Sequence, residues 1–217
     1  MQNLRGSLRG YWMQPAAESQ VYPRLGIGAE IGGSFRPGLT GFYSPACYGY
    51  LYGYLPGLTR TQGLRLSAIG TQQLCPGAPF GEYGVSVIPR GFTATDGTAI
   101  GQNAARALRL TADYAIPLYF GDISWFSPVA YITHFLLIPH VDWTAFGGSR
   151  NGKSAPVNSS LLSAGADFTV ELANFLWVPF PCSVGVSATW TGGPYYSTLA
   201  TEDRKPWSVE MVFSFDI

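Results

Sequence analysis

A chain of 217 residues in which 12% are charged, 15% are aromatic and 27 are glycine has too little polar surface for an ordinary soluble domain, where about a quarter of residues carry charge. Basic and acidic side chains balance at 13 each, which leaves no electrostatic footprint for a nucleic acid partner and no basic run for an anionic membrane surface. The longest apolar runs, Phe135–Ile138 among them, fall far short of the ~20 residues that a spanning helix needs, so the route left across a bilayer is a closed sheet.

The N-terminal stretch Met1-Gln2-Asn3-Leu4-Arg5-Gly6-Ser7 has no continuous apolar core of the kind a secretory leader carries. A protein bound for an outer membrane should start with one, so the chain reads as the mature tail, or a fragment, of something longer. Cys47, Cys75 and Cys182 form no CxxC and stand near no histidine at metal-ligand spacing, which argues against zinc. They read as small buried or lipid-facing thiols, with a Cys47–Cys75 disulfide open as an alternative and Cys182 expected free.

Taken in order, the chain repeats one pattern: alternating residues with an apolar face and a polar or small face over roughly ten positions, as membrane strands show. Asn3–Trp12 puts Leu4, Leu8 and Trp12 opposite Arg5, Ser7 and Arg9. Arg24–Phe35 opposes Leu25, Ile27, Ala29 and Ile31 to Gly26, Gly28, Glu30 and Gly32. In Ala46–Pro56 tyrosines at 48, 50, 52 and 54 alternate with Cys47, Gly49, Leu51, Gly53 and Leu55, which no helical period reproduces. These tyrosines read as lipid-facing and girdle residues, and Gly26, Gly28, Gly32, Gly49 and Gly53 as inward-facing. Pro56-Gly57 then turns the chain into Thr61–Thr71.

From Thr71 to Asn103 comes a polar excursion longer than the 12–15 residues at which structureless loops become uncommon. It carries Ile88-Pro89-Arg90-Gly91-Phe92 at its centre. Ala105–Leu118 follows, with Leu108, Leu110, Ala112, Tyr114 and Ile116 outside and Arg109, Thr111 and Asp113 inside, and a turn through Gly121-Asp122. Ser127–Phe146 opposes Val129, Tyr131, Phe135, Leu137, Val141 and Trp143 to His134, His140, Asp142 and Thr144. After a polar loop at 147–153, Leu162–Leu172 keeps Ser163, Gly165, Asp167, Thr169 and Glu171 on one side. Ser183–Thr191 and Trp207–Ile217 repeat the scheme, the latter with Phe213, Phe215 and Ile217 on its apolar face.

That makes about nine antiparallel strands, with short connections after Tyr54, Leu118 and Phe175 and long ones after Phe35, Thr71, Phe146 and Trp190. Transmembrane barrels alternate short turns with long loops in this way. A soluble sandwich also alternates, but it would place charges on its outer face, and these apolar faces carry none mid-strand. The expected fold is all-β: an antiparallel up-and-down transmembrane β-barrel, residues 1–217 forming only part of it.

These elements resemble the C-terminal barrel region of the outer-membrane assembly and translocation superfamily that includes BamA, TamA and the two-partner secretion transporters, a bacterial surface antigen barrel. In that family the sixth extracellular loop carries a [VI]-R-G-[FY] motif that folds into the lumen and meets a downstream strand motif [FG]-x-D-x-G. Ile88-Pro89-Arg90-Gly91-Phe92 is similar to the first, with one residue inserted before the arginine; His140-Val141-Asp142-Trp143-Thr144 is similar to the second in its aspartate and spacing. Asp113-Tyr114-Ala115-Ile116-Pro117-Leu118 is similar to the family's acidic-aromatic-x-x-Pro-Leu ending, and Phe213, Phe215 and Ile217 to the terminal strand signal of outer-membrane barrels.

The resemblance implies a sixteen-stranded parent barrel in a Gram-negative outer membrane, working without a cofactor or metal and guiding client polypeptides, with periplasmic domains or accessory proteins as further partners. It makes Arg90, Gly91 and Phe92 a loop anchor, with Asp142 and then Asp113 as acceptors. The physics agrees: an arginine drawn into a narrow lumen loses hydration and needs a paired acid. Two competing readings stand beside it. Arg90 could be a solvated loop charge, or the charge filter of a passive or substrate-selective pore. His140 and Asp142, two apart on one strand face, could be the acid-base pair of a barrel hydrolase, although no nucleophile motif accompanies them.

Overall fold

The computed structural model describes residues 4–16, 20–35, 46–73, 87–92, 105–125, 130–147, 159–175, 182–196 and 206–215. They form one nine-stranded antiparallel sheet in strict up-and-down order. Its strands are β1 (Leu4–Met13), β2 (Gly26–Phe35), β3 (Ala46–Pro56), β4 (Gly63–Gln73), β5 (Arg106–Trp125), β6 (Ala130–Gly147), β7 (Ser159–Phe175), β8 (Cys182–Gly192) and β9 (Trp207–Phe215). Every strand pairs with its neighbours in sequence, and the sheet is not closed: β1 and β9 are its edges. The described residues contain no α-helix.

Register decides which alternate residues share a face. One row of directly paired residues crosses the sheet from Met13 through Gly26, Tyr54, Arg65, Asp113, His140, Gly165 and Thr189 to Ser208. Beyond that row, towards the Arg90 loop, β1 continues from Met13 to Leu4, β5 from Asp113 to Arg106, and β9 only from Ser208 to Trp207. The strands are thus offset progressively in one direction, the stagger that tilted strands acquire in a curling sheet.

The curl also follows from two adjacent residues. Arg90 bonds Asp113 on β5, while a β-carbon on Gly91 would meet Thr189 on β8 at 2.9 Å and Ser208 on β9 at 3.0 Å. In a flat sheet, β5 and β9 would stand about 19 Å apart at the usual strand spacing. The sheet therefore wraps around this loop, with the polar residues on its concave side.

The convex side carries the apolar set. Leu8, Ile27, Leu51, Leu66, Leu110, Val141, Phe168 and Val186 are all exposed there, and Met211 on β9 reaches 86%. The larger buried cluster lies on the concave side, where Ile69, Ile88, Phe92, Tyr195 and Tyr196 pack against Val87, Ala107, Phe146 and Leu161; a smaller one, Leu172 and Cys182, lies where β7 ends and β8 begins. An inside-out molecule of this kind has its apolar surface where a soluble protein would have its charges.

Several sequence expectations are corrected by the register. The tyrosines of β3 do not face outward. Tyr48 hydrogen-bonds Glu30 at 2.6 Å, Arg65 donates to Tyr50 at 2.8 Å, and Tyr52 is 3% exposed, so the ladder lies on the concave face. The aromatic period misleads because tyrosine suits either face, whereas the leucines of the same strand can only be outside. Gly49 and Gly53 accordingly point outward with Leu51, and only Gly26, Gly28 and Gly32 face in. Gly28 and Gly32 lie directly opposite Tyr52 and Tyr48; a β-carbon at Gly28 would stand 2.2 Å from Tyr52 Cζ. These glycines make room for rings lying across them.

Gly121-Asp122 is not a turn. β5 runs on to Trp125, and a register shift between Phe120 and Ile123 absorbs the pair as an irregularity within the strand. Cys47 is a free thiol whose Sγ stands 3.7 Å from the Gln72 carbonyl, and Cys182 is free and buried. Cys75 and Ile217 lie outside the described residues.

Candidate functional site

The concave faces of β5, β6 and β7 each contribute one aspartate near the middle of the strand: Asp113, Asp142 and Asp167. All three converge on Arg90. Its Nε donates to Asp142 Oδ2 at 2.9 Å, and its backbone N–H donates to the same oxygen at 3.1 Å. Nη2 reaches Asp142 Oδ1 at 3.3 Å and also bonds Asp113 Oδ1. Nη1 donates to Asp167 Oδ2 at 3.3 Å. A planar guanidinium offers five N–H groups in a fixed fork, and here the fork addresses three strands at once.

Asp142 is the centre of the cluster. It is fully buried and also takes an ion pair from Arg109 Nη2 at 3.1 Å and a hydroxyl contact from Ser163 at 3.5 Å. Three converging carboxylates would otherwise attract a cation; the two guanidinium groups fill that role. Burial by itself would lower the Arg90 pKa. The hydrogen bond to Asp142 and the charges of Asp113 and Asp142 outweigh it and hold the pKa above the ordinary arginine value.

The loop backbone is fixed on both sides of the arginine. Upstream, Thr144 Oγ1 donates to the Val87 carbonyl at 2.9 Å, and Val87 and Pro89 are buried. Downstream, Gly91 adopts φ +81°, a left-handed conformation that side chains resist, and approaches Thr191 so closely that a β-carbon would stand 2.8 Å from its Cγ2. Phe92 makes an edge contact with Tyr196 at 6.3 Å. Ile-Pro-Arg-Gly-Phe therefore works as a unit: apolar flanks seat it, glycine permits the bend, and arginine engages the acids.

Of the residues expected at this site, Arg90, Gly91, Phe92, Asp142 and Asp113 are brought together. Asp167 and Arg109 join them without having been singled out, although both sit on the charged faces of neighbouring strands. The missing signal was register, since the sequence orders residues along a strand but not across strands. His140 and Asp142 do not form an acid-base pair. His140 Nδ1 stands 3.4 Å from Asp167 Oδ2 and Nε2 lies 3.3 Å from Thr189 Oγ1, while Asp142 is engaged by the arginines. His134 Nδ1 lies 3.1 Å from Glu171 Oε2. At the far edge, Phe213 is exposed on the convex face of β9, and Phe215 continues that strand by pairing with Cys182. Comparison with protein-family models, with characterised proteins and with solved structures finds no match to this chain.

Proposed function

We propose that the chain is the C-terminal part of a β-barrel of the bacterial outer membrane that assists insertion or translocation of polypeptides. The observation that carries this reading is the Arg90 loop, turned onto the concave face and held by Asp142, Asp113 and Asp167. A solvated loop charge needs no such cage; a loop that must stay folded inside a lumen does. The exposed apolar convex face suits lipid, and the progressive strand offset suits a sheet whose further strands continue the curl.

In this reading the bilayer is the first partner, client polypeptides are the second, and periplasmic domains or accessory proteins are further ones. The chain acts without a cofactor and does no covalent chemistry. The edge supplies the mechanism: β9, an outer strand among the described residues, is where a client strand can add, while the Arg90 cage keeps β5, β6 and β7 rigid. The test places a photo-crosslinking side chain at Met211 in the membrane-embedded protein. Capture of nascent outer-membrane strands supports the proposal. Absence of capture, together with ion conductance sharply selective among solutes, makes the substrate-selective pore the better reading.

A further inference from the structure

Beside the Arg90 cage, on the concave face of β3 and β4, Arg65 has an unusual set of neighbours. Its Nη2 donates to Tyr50 Oη at 2.8 Å, and its Nε is buried with no hydrogen-bond partner among the described residues. Its cross-strand neighbours are Tyr54 and Asp113. Asp113 is taken up by Arg90, and among the described residues no carboxylate lies within ion-pair distance of Arg65. Tyr22, from the β1–β2 connection, packs on the Tyr54 ring at 5.5 Å and covers Gly63 at the start of β4.

The hydrogen-bond inventory is therefore one-sided. Tyr50 accepts from Arg65 and keeps its own proton to donate. Tyr54 and Tyr22 bring two more phenol protons. Burial, with the charge of Asp113 adding to it, pushes Tyr22 up to about 12, so it remains a donor at neutral pH. Among the described residues one guanidinium and three phenol rings gather here, and the acid beside them, Asp113, is taken up by Arg90. A half-buried arginine without an acid is costly, and a cluster of donors arriving from two strands and a loop matches the several oxygens of a tetrahedral oxyanion better than the two of a planar carboxylate.

We infer that Arg65, Tyr50, Tyr54 and Tyr22 form an oxyanion site on the concave face that takes the phosphate group of a small solute. The site borders the Arg90 cage at Asp113 but shares no residue with it, and it does not depend on the chain's role in polypeptide handling. A phosphate group can come from a free solute or from a lipid headgroup; the concave position favours the solute.

Isothermal titration of the full chain in nonionic detergent micelles, with sodium phosphate or sodium acetate at matched ionic strength, tests this. Phosphate should bind saturably and one to one. Arg65→Gln should weaken it about tenfold, the worth of one charge-assisted contact, and Tyr50→Phe should weaken it measurably while leaving the charge in place. If Arg65→Gln fails to fold by circular dichroism, Tyr50→Phe and Tyr54→Phe carry the test. The inference is overturned by the absence of saturable phosphate binding, by phosphate binding that these variants leave unchanged, by acetate binding as tightly as phosphate, or by retention of phosphatidic acid in mixed micelles with no affinity for inorganic phosphate.

Discussion

Arg90 gives one oxygen of Asp142 two hydrogen bonds, from its side-chain Nε at 2.9 Å and from its own backbone N–H at 3.1 Å. The carboxylate thus holds the main chain and the side chain of the same residue. A position gripped in this way has one backbone conformation and one rotamer, which is what a loop needs if it is to remain folded against a wall it was not grown from.

Removing Asp142 takes away the acceptor of the Arg90 backbone N–H and Nε and an ion-pair partner of Arg109, all in a buried setting. Asp142→Ala should cost about 3–5 kcal/mol, read as a drop in the urea midpoint in lipid or detergent, with faster protease cleavage in the loop between β4 and β5. Asp167→Ala should cost markedly less, because its contact with Arg90 is longer and its side chain more open to water. Equal losses in the two variants would contradict the cage as described.

At position 90, lysine keeps the charge and loses the fork. A compact ammonium lacks the planar fork whose N–H groups are spread towards three carboxylates, so Arg90→Lys should resemble Arg90→Ala in protease susceptibility of the loop more than it resembles the parent. Parent-like protection in the lysine variant would reduce the cage to simple charge neutralisation.

Gly91→Ala should be damaging for two separable reasons. A left-handed conformation costs an L-residue about 1–2 kcal/mol, and the new methyl would meet Thr191, Thr189 and Ser208 at 2.8–3.0 Å. Combining it with Thr189→Ser and Thr191→Ser removes the obstructing methyl groups and should restore part, not all, of the lost thermal stability. Full recovery would mean the backbone conformation costs nothing there.

Glycines on the two faces should respond oppositely. Gly28→Ala collides with the Tyr52 ring and should destabilise by about 1–3 kcal/mol, as overpacking does. Gly49, one strand away, has nothing within 4 Å of a β-carbon, so Gly49→Ala should be neutral or mildly stabilising. Thermal melts of the two variants side by side would show the difference, and a reversed order would invert the assignment of faces.

The convex face provides the test of membrane contact. Leu110→Arg should cost about 2–4 kcal/mol in lipid vesicles if it meets hydrocarbon, while Leu58→Arg, in the exposed β3–β4 turn, should cost next to nothing. A similar small effect at both positions would argue for water, not lipid, outside Leu110.

The alternation of leucine, isoleucine and valine with glycine, serine and charged residues was enough to establish nine antiparallel strands and the apolar outer face, because a period of two is local and survives without any knowledge of neighbours. The length of the excursion between two strands and the resemblance of its motif marked Arg90, and the polar face of its strand with a second motif marked Asp142. The alternation could not place the tyrosines of β3, since an amphipathic ring satisfies either face and only its pairing with Gly28 and Gly32 decides between them. Nor could it bring Asp167 and Arg109 to the same guanidinium, or show Arg65 left among phenols. Those juxtapositions depend on register across five strands and on the curl of the sheet, and both are set by pairing between segments far apart in the chain.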